Sequence, residues 1–214
     1  MVFAILGLMK IAVIAANGRS GREFVKKALE AGYHVRAGVF SSRIPEAKNL
    51  EIISCNATDV AQMQELIHGC DAVVSFIGHV KGSPATVQTD AIKNAIEAMK
   101  KEKVTRIISL TGTGVRFPGD TPNVIDKFLN ALVTIMDPER VKDGIMHAKA
   151  LKESGLDWTI IRVLKLQNTK VKPFVLKYHG PAKFITSRIE VAEAALIALA
   201  DPNMVKQAPI ISEP

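Results

Sequence analysis

Short apolar runs of four to seven residues alternate along the chain with stretches in which apolar residues recur every three or four positions. That alternation marks repeated βαβ units feeding a mainly parallel sheet, an α/β architecture. The runs predict strands at Lys10–Ile14, His34–Val39, Leu50–Ser54, Ala72–Phe76, Arg106–Leu110, Trp158–Arg162, Lys183–Ile185 and Ala208–Ile211. Between them, Phe24, Val25, Ala28 and Leu29 form one helical stripe, closed by Gly32 as a left-handed cap. A second stripe is Val87, Ala91, Ile92, Ala95, Ile96 and Met99, and a third is Val141, Ile145, Ala148 and Leu151, ending before Gly155. Ser187 and Glu190 have the spacing of a capping box ahead of Val191, Ala195, Leu196 and Leu199.

One stretch breaks the alternation. After the strand at 106–110 come Gly112, Gly114, Pro118, Gly119 and Pro122, and then an apolar helical pattern over Val124–Met136. An insertion beyond the carboxyl end of a central strand lies where doubly wound sheets place their ligands, so it reads as a lid, a subunit contact or plain packing.

Composition narrows the class. The 214 residues, 48% hydrophobic and 23% charged, describe an ordinary globular chain and exclude collagen-like, disordered and disulfide-scaffold readings. We expect a single domain over 9–214, with residues 1–8 as an extension. The apolar residues Val2–Leu8 are too few, and too interrupted by Met9-Lys10, to span a bilayer. Cys55 and Cys70 stand in no zinc spacing; as two lone, buried thiols they fit a reducing compartment, and a cytoplasmic protein with no membrane contact is expected. The formal net charge is +7, with seven bases from Arg162 to Arg188 (Arg162, Lys165, Lys170, Lys172, Lys177, Lys183 and Arg188) and no acid between Asp157 and Glu190. Without aromatic interleaving this points away from nucleic acid and towards small anionic or aromatic molecules.

The strongest local signal is Ile11-Ala-Val-Ile-Ala15-Ala16-Asn17-Gly18-Arg19-Ser20-Gly21, a strand running into a glycine-bearing turn and then an amphipathic helix. This is a phosphate-binding βα turn. Gly18 lets the backbone approach a pyrophosphate, Gly21 lets the helix pack close to the sheet, and the first-turn amides of Arg19 and Ser20 face the anion. Ala15 stands where the usual fingerprint begins with glycine. An acid about 20 residues further on would bind the ribose 2′-hydroxyl of NAD. No carboxylate occurs between Glu30 and Glu46; Phe40-Ser41-Ser42-Arg43 occupies that place. Hydroxyls and a guanidinium suit a 2′-phosphate, and Phe40 can stack on adenine, so NADP is favoured, with NAD possible.

With Asp71-Ala-Val-Val-Ser-Phe-Ile-Gly78, Ile107-Ile-Ser-Leu-Thr111 and Leu151-Lys-Glu-Ser-Gly-Leu-Asp-Trp-Thr-Ile-Ile-Arg162, the turn resembles the atypical short-chain dehydrogenase/reductase group. Within it, the chain is similar over about residues 9–200 to the NAD(P)H-binding family that includes flavin reductase/biliverdin-IXβ reductase and the NmrA-like proteins. The resemblance implies a Rossmann-type doubly wound sheet with a small C-terminal substrate lobe, here about 112–140 and 163–188. It also implies that Asn56 and Ala57 lie by the adenine, Phe76, Ile77 and Gly78 along the ribose, and Thr111 near the nicotinamide, with Val163, Leu164 and Lys165 closing over it. Ala15, Phe40, Asn56, Gly112 and Val163 depart from the family pattern.

Tyrosine supplies a negative. Neither Tyr33 nor Tyr178 has a lysine four positions on; Ala37 and Ala182 stand there, so the Tyr-x-x-x-Lys pair of ordinary short-chain dehydrogenases is missing. Hydride delivery to a flavin-, quinone- or tetrapyrrole-like acceptor remains open, because it needs a positioned nicotinamide more than a tuned acid. Thr111 and His147 are the candidate catalytic residues, and His79, just after Gly78, is placed to touch cofactor or substrate. The expectation is an NADPH-dependent reductase, monomeric or homodimeric. The alternative is a non-catalytic NmrA-like sensor of NADP(H).

Overall fold

The computed structural model describes residues 9–41 and 44–214. The expected extension 1–8 and Arg43 therefore lie outside the described residues. Ten strands are present among them: β1 (Lys10–Ile14), β2 (His34–Val39), β3 (Leu50–Ser54), β4 (Ala72–Ser75), β5 (Arg106–Gly112), β6 (Asp157–Val163), β7 (Leu166–Gln167), β8 (Val175–Lys177), β9 (Thr186–Ser187) and β10 (Ile210–Ser212). The helices are α1 (Arg19–Glu30), α2 (Val60–Ile67), α3 (Val87–Glu102), α4 (Val124–Met136), α5 (Pro138–Glu153) and α6 (Arg188–Ala200).

Eight strands form one sheet in the order β3-β2-β1-β4-β5-β6-β10-β8. All pairs are parallel except the edge pair β10–β8. This is a doubly wound sheet with its switch point between β1 and β4, where successive connections leave towards opposite faces. One core cluster joins the sheet to α1 and α6 through Phe24, Val25, Val191 and Ala195; the other joins it to α2, α3 and α5 through Met63, Leu66, Ile92, Met99 and Leu151. Strands buried on both faces read as continuous apolar runs, which is why β1, β4 and β5 stand out in the sequence.

Several short elements differ from expectation, and β7, β8 and α2 have no predicted counterpart. Lys183–Ile185 is not a strand; the pairing falls on the next two residues, Thr186–Ser187, against Leu166–Gln167. The Lys183 side chain is drawn into the interior by Glu190, 3.1 Å away, and its apolar neighbours are loop residues. Helix α2 carries no long stripe, but Asp59 caps it by accepting from the amides of Ala61 and Gln62.

Candidate functional site

Above the carboxyl ends of β1, β2, β4, β5 and β6 lies a cleft of about 930 Å³. Its wall begins at the β1–α1 turn. Ala15 adopts φ 59°, the left-handed region that glycine favours, so the first position of the fingerprint needs that backbone conformation even though an alanine occupies it. The Gly18 amide donates to the Ala15 carbonyl at 3.0 Å and closes the turn. A Cβ on Gly21 would fall 2.3 Å from the Ala15 carbonyl oxygen and 2.9 Å from Ala16 Cα, so only glycine lets α1 approach the sheet here.

The start of α1 is bare. Gly18 offers no capping side chain and the first turn holds no acid. Every other α-helix among the described residues is supplied. Asp59, Asn123, Asp137 and Ser187 cap α2, α4, α5 and α6, and the Asp143 carboxylate accepts from the Gln88 and Thr89 amides at the start of α3. The first-turn amides and positive dipole end of α1 therefore point into the cleft with no capping side chain or carboxylate of the chain to satisfy them. Arg19 and Arg188 also line it. Burial, and then the charge of Arg19, push the Arg188 guanidinium below its ordinary value, while Arg188 Nη1 donates to Asn168 at 2.6 Å. Two cations near one another beside bare amides make a site for a polyanion.

The structure brings together most of the residues singled out in the sequence. Ala15, Asn17, Gly18, Arg19, Ser20, Phe40, Ser41, Asn56, Ala57, Phe76, Ile77, Gly78, Thr111, Val163 and Leu164 line the cleft. Gly21 stands behind its wall as a packing residue. Phe40 is 70% exposed, its ring free on one side. Both segments expected to build a substrate lobe reach the cleft, through Gly112–Val115, Asn130 and Val133 and through Val163–Leu166 and Arg188.

His147 requires a correction. It is absent from the cleft wall and fully buried, with Nε2 2.8 Å from Ser109 Oγ and Nδ1 without a partner. Burial pushes its pKa down to about 4, so it is neutral near pH 7 and has no imidazolium proton to deliver. The histidine that does face the cleft is His79. Its Nε2 lies 2.8 Å from the Asp143 carboxylate, which also accepts from the Gln88 and Thr89 amides. Gln88 ties the ends of β4 and β5 together by donating to the Ile77 and Leu110 carbonyls. Gly144, next to Asp143, packs so close to Thr111 that a Cβ there would lie 3.0 Å from its hydroxyl. Thr111, His79 and Asp143 are thereby held in one corner.

The basic run divides. Arg162 is fully buried, paired with Asp120 (Nη2 to Oδ1, 2.8 Å) and set against the Phe117 ring at 4.8 Å, so it anchors the insertion after β5. Lys183 is buried against Glu190; Lys165, Lys170, Lys172 and Lys177 are exposed, and Lys165 reaches the cleft. Arg188 and Asp143 are the site residues that the sequence did not single out by role. Each lies far along the chain from the turn it serves, and no local pattern marks it. Both cysteines are buried and unpaired, with burial raising their thiols to about 11 for Cys55 and about 12 for Cys70.

A glycine-bearing turn at the switch point, a helix start stripped of its own caps and a cleft over the carboxyl strand ends define a Rossmann dinucleotide-binding domain. The model of the NAD(P)H-binding family matches residues 15–202, and the chain belongs to that family. It is 25% identical over 176 residues to TIC 62, chloroplastic, of Arabidopsis thaliana, covering 70% of this chain and 26% of that protein. It is 29% identical over 109 residues to YwnB of Bacillus subtilis, covering 51% of this chain and 50% of that protein. The chain thus spans about a quarter and about half of these curated relatives. Among solved structures, the fold matches a wide-type short-chain dehydrogenase/reductase of Veillonella parvula in complex with NADP (TM-score 0.80, 19% identity, 96% of this chain and 95% of that one). It also matches the oxidoreductase ylbE of Lactococcus lactis (TM-score 0.81, 18% identity, 96% and 91%) and a candidate NADH-flavin reductase of Streptococcus pneumoniae (TM-score 0.75, 21% identity, 96% and 100%). Among the described residues no helix is long and apolar enough to cross a membrane, and no cluster of metal-ligating side chains occurs.

Proposed function

We propose that the protein is an NADPH-dependent reductase that passes hydride to a flat conjugated acceptor of flavin, quinone or tetrapyrrole type. The observation that carries this reading is the bare start of α1 beside Arg19 and Arg188, opening into the same cleft as Thr111 and His79. The residues present fit a dinucleotide: Gly21 admits the close turn, the amides of the first turn and the two guanidiniums take the diphosphate, and Phe40 takes the adenine face. Ser41 and Arg43, with no carboxylate between Glu30 and Glu46, favour the 2′-phosphate of NADP. The bound dinucleotide supplies the hydride. Thr111 orients the reacting face through its hydroxyl, and Asp143 holds the His79 ring so that it can move a proton to the reduced acceptor. Exposed Lys165 offers a positive charge to an acceptor phosphate or carboxylate. The two unpaired thiols suit a reducing compartment such as the cytoplasm.

The test is a calorimetric titration with NADPH and NADH, followed by NADPH oxidation with flavin mononucleotide, a quinone and biliverdin. We expect tighter binding of NADPH, with the preference lost in Arg43→Ala. Turnover should occur with at least one acceptor. His79→Gln should lower kcat by roughly a hundredfold for a quinone, the usual worth of a positioned proton donor, with NADPH affinity unchanged. No heat with either nucleotide overturns the whole reading. Tight binding with no turnover of any acceptor replaces it with the NADP(H)-sensing module.

A further inference from the structure

Helix α4 turns its polar side in and its apolar side out. Its one buried residue is Asp126, whereas Val124, Ile125, Phe128, Ile135 and Met136 are each more than half exposed. Burial of apolar surface cannot set that orientation, and the polar contacts under the helix do. The Asp126 carboxylate takes a hydrogen bond from Thr113 Oγ1 at 3.3 Å and pairs with Arg116 at 3.5 Å. One turn on, Asn130 Nδ2 donates to the Asp126 carbonyl at 2.8 Å, and the Asp126 carboxylate and Thr113 Oγ1, at 3.0 Å, share its hydrogens.

A carboxylate and a backbone carbonyl can only accept, so they decide which way round the Asn130 amide sits. Its NH2 group is held against Asp126, and its Oδ1 is turned the other way. Thr113 Oγ1 lies 3.4 Å from that oxygen, but its single hydrogen goes to the Asp126 carboxylate, the stronger acceptor. Oδ1 stands over Gly114, where a Cβ would come within 3.3 Å of it and 3.7 Å of Val141. Gly114, Asn130, Val133 and Val141 all line the cleft, in the stretch of wall beyond Thr111. That end of the cleft thus combines apolar walls with one carbonyl oxygen free to accept.

We propose that Asn130 is a specificity-determining residue, its Oδ1 accepting a hydrogen bond from a ring N–H on the outer edge of the hydride acceptor. This rests on the reductase reading above and narrows its acceptor to a heterocycle with an imide N–H, the edge that a flavin carries. A quinone offers only carbonyl oxygens, which would oppose lone pair to lone pair. The N–H groups of a bilin point towards the centre of the molecule.

Flavin mononucleotide and its N3-methyl derivative differ in the one hydrogen at issue and share ring and phosphate. Their binding to the full chain is read from quenching of flavin fluorescence, which needs no turnover, with NADP+ added at saturation to fill the dinucleotide end. The methylated flavin should bind at least about tenfold more weakly. Asn130→Ala should bring the two Kd values together. Gly114→Ala should do the same by setting a methyl group against Oδ1, at a glycine whose φ is not left-handed. Equal Kd values in the parent overturn the proposal, as does a gap that persists in both variants when circular dichroism shows them folded. A parent that binds neither flavin overturns it too. Turnover of a quinone in that case leaves the reductase standing, whereas absence of heat with NADPH and NADH removes the reductase itself, so the two failures are told apart.

Discussion

Helices α1 and α4 have nearly the same length, 12 and 13 residues, and both are amphipathic, yet they use that property in opposite senses. In α1 the apolar stripe of Phe24, Val25 and Ala28 is sealed against the sheet and α6, and the bare polar end faces the cleft. In α4 the seal is made by Asp126 and Asn130, and the apolar stripe is left outside. Periodicity therefore establishes that a helix has two sides but does not say which side the fold will claim. Hydrophobic burial holds α1 in place, whereas α4 is tethered by a small polar network whose members have few alternatives once dry.

Five substitutions, one of them read through a pH titration, would sharpen or break that contrast. Phe24→Ala removes a fully buried ring that packs on Phe76 with centroids 5.3 Å apart, and should cost about 4 kcal/mol in urea unfolding. A loss near that expected for an exposed position would show that burial does not hold α1. The next effect belongs to α5, which stands between the two cases by burying a histidine. His147 is depressed to about 4 in the folded protein from 6.5, so the unfolded chain binds the proton more readily. Its stabilising share is complete above pH 6.5 and falls away as pH drops towards 4, by at most about 3 kcal/mol. His147→Gln should flatten that part of a Tm-against-pH curve; an unaltered slope would mean the ring is not dry.

Asp126→Ala should cost about 2 kcal/mol, since Thr113 loses its acceptor and Arg116 its partner below α4. Equal stability of variant and parent would remove the polar tether from the comparison. Ala15→Gly should stabilise by about 1 kcal/mol by relieving the left-handed backbone. It also asks whether the turn of α1 is strained, and a destabilised variant would answer no. Smallest of all, Phe128→Ala, at a ring 67% exposed, should change unfolding by less than about 0.5 kcal/mol. A cost like that of Phe24→Ala would place the α4 stripe inside the fold.

Much of the fold was legible because the sheet core consists of apolar runs with no choice of side. Strands β1, β2 and β3 and helix α4 begin and end where the spacing predicts. Gly32 takes the expected left-handed φ of 88°, and Ser187 with Glu190 forms the expected box. Short elements were harder. Thr186–Ser187 pairs only because Leu166–Gln167 is brought beside it, and two residues carry no period of their own. At the site, the cluster from Ala15 to Gly21 could be read because neighbours in the chain make it. The Arg19–Arg188 pair and the His79–Asp143 pair join residues far apart in sequence, and a histidine beside an apolar stripe, such as His147, looks the same in sequence whether it is buried or opens onto a cleft.

What the chain alone determined is its alternation of strands and helices, the turn that admits a diphosphate and the lack of a tyrosine–lysine pair, since each depends on spacing along the backbone. Which basic residue enters the cleft, which histidine faces it and which side of α4 meets water were decided only when the sheet assembled. Those outcomes turn on dehydration and on partners drawn from distant segments, and the energy of a charge or a ring depends on what surrounds it rather than on its place in the order of residues.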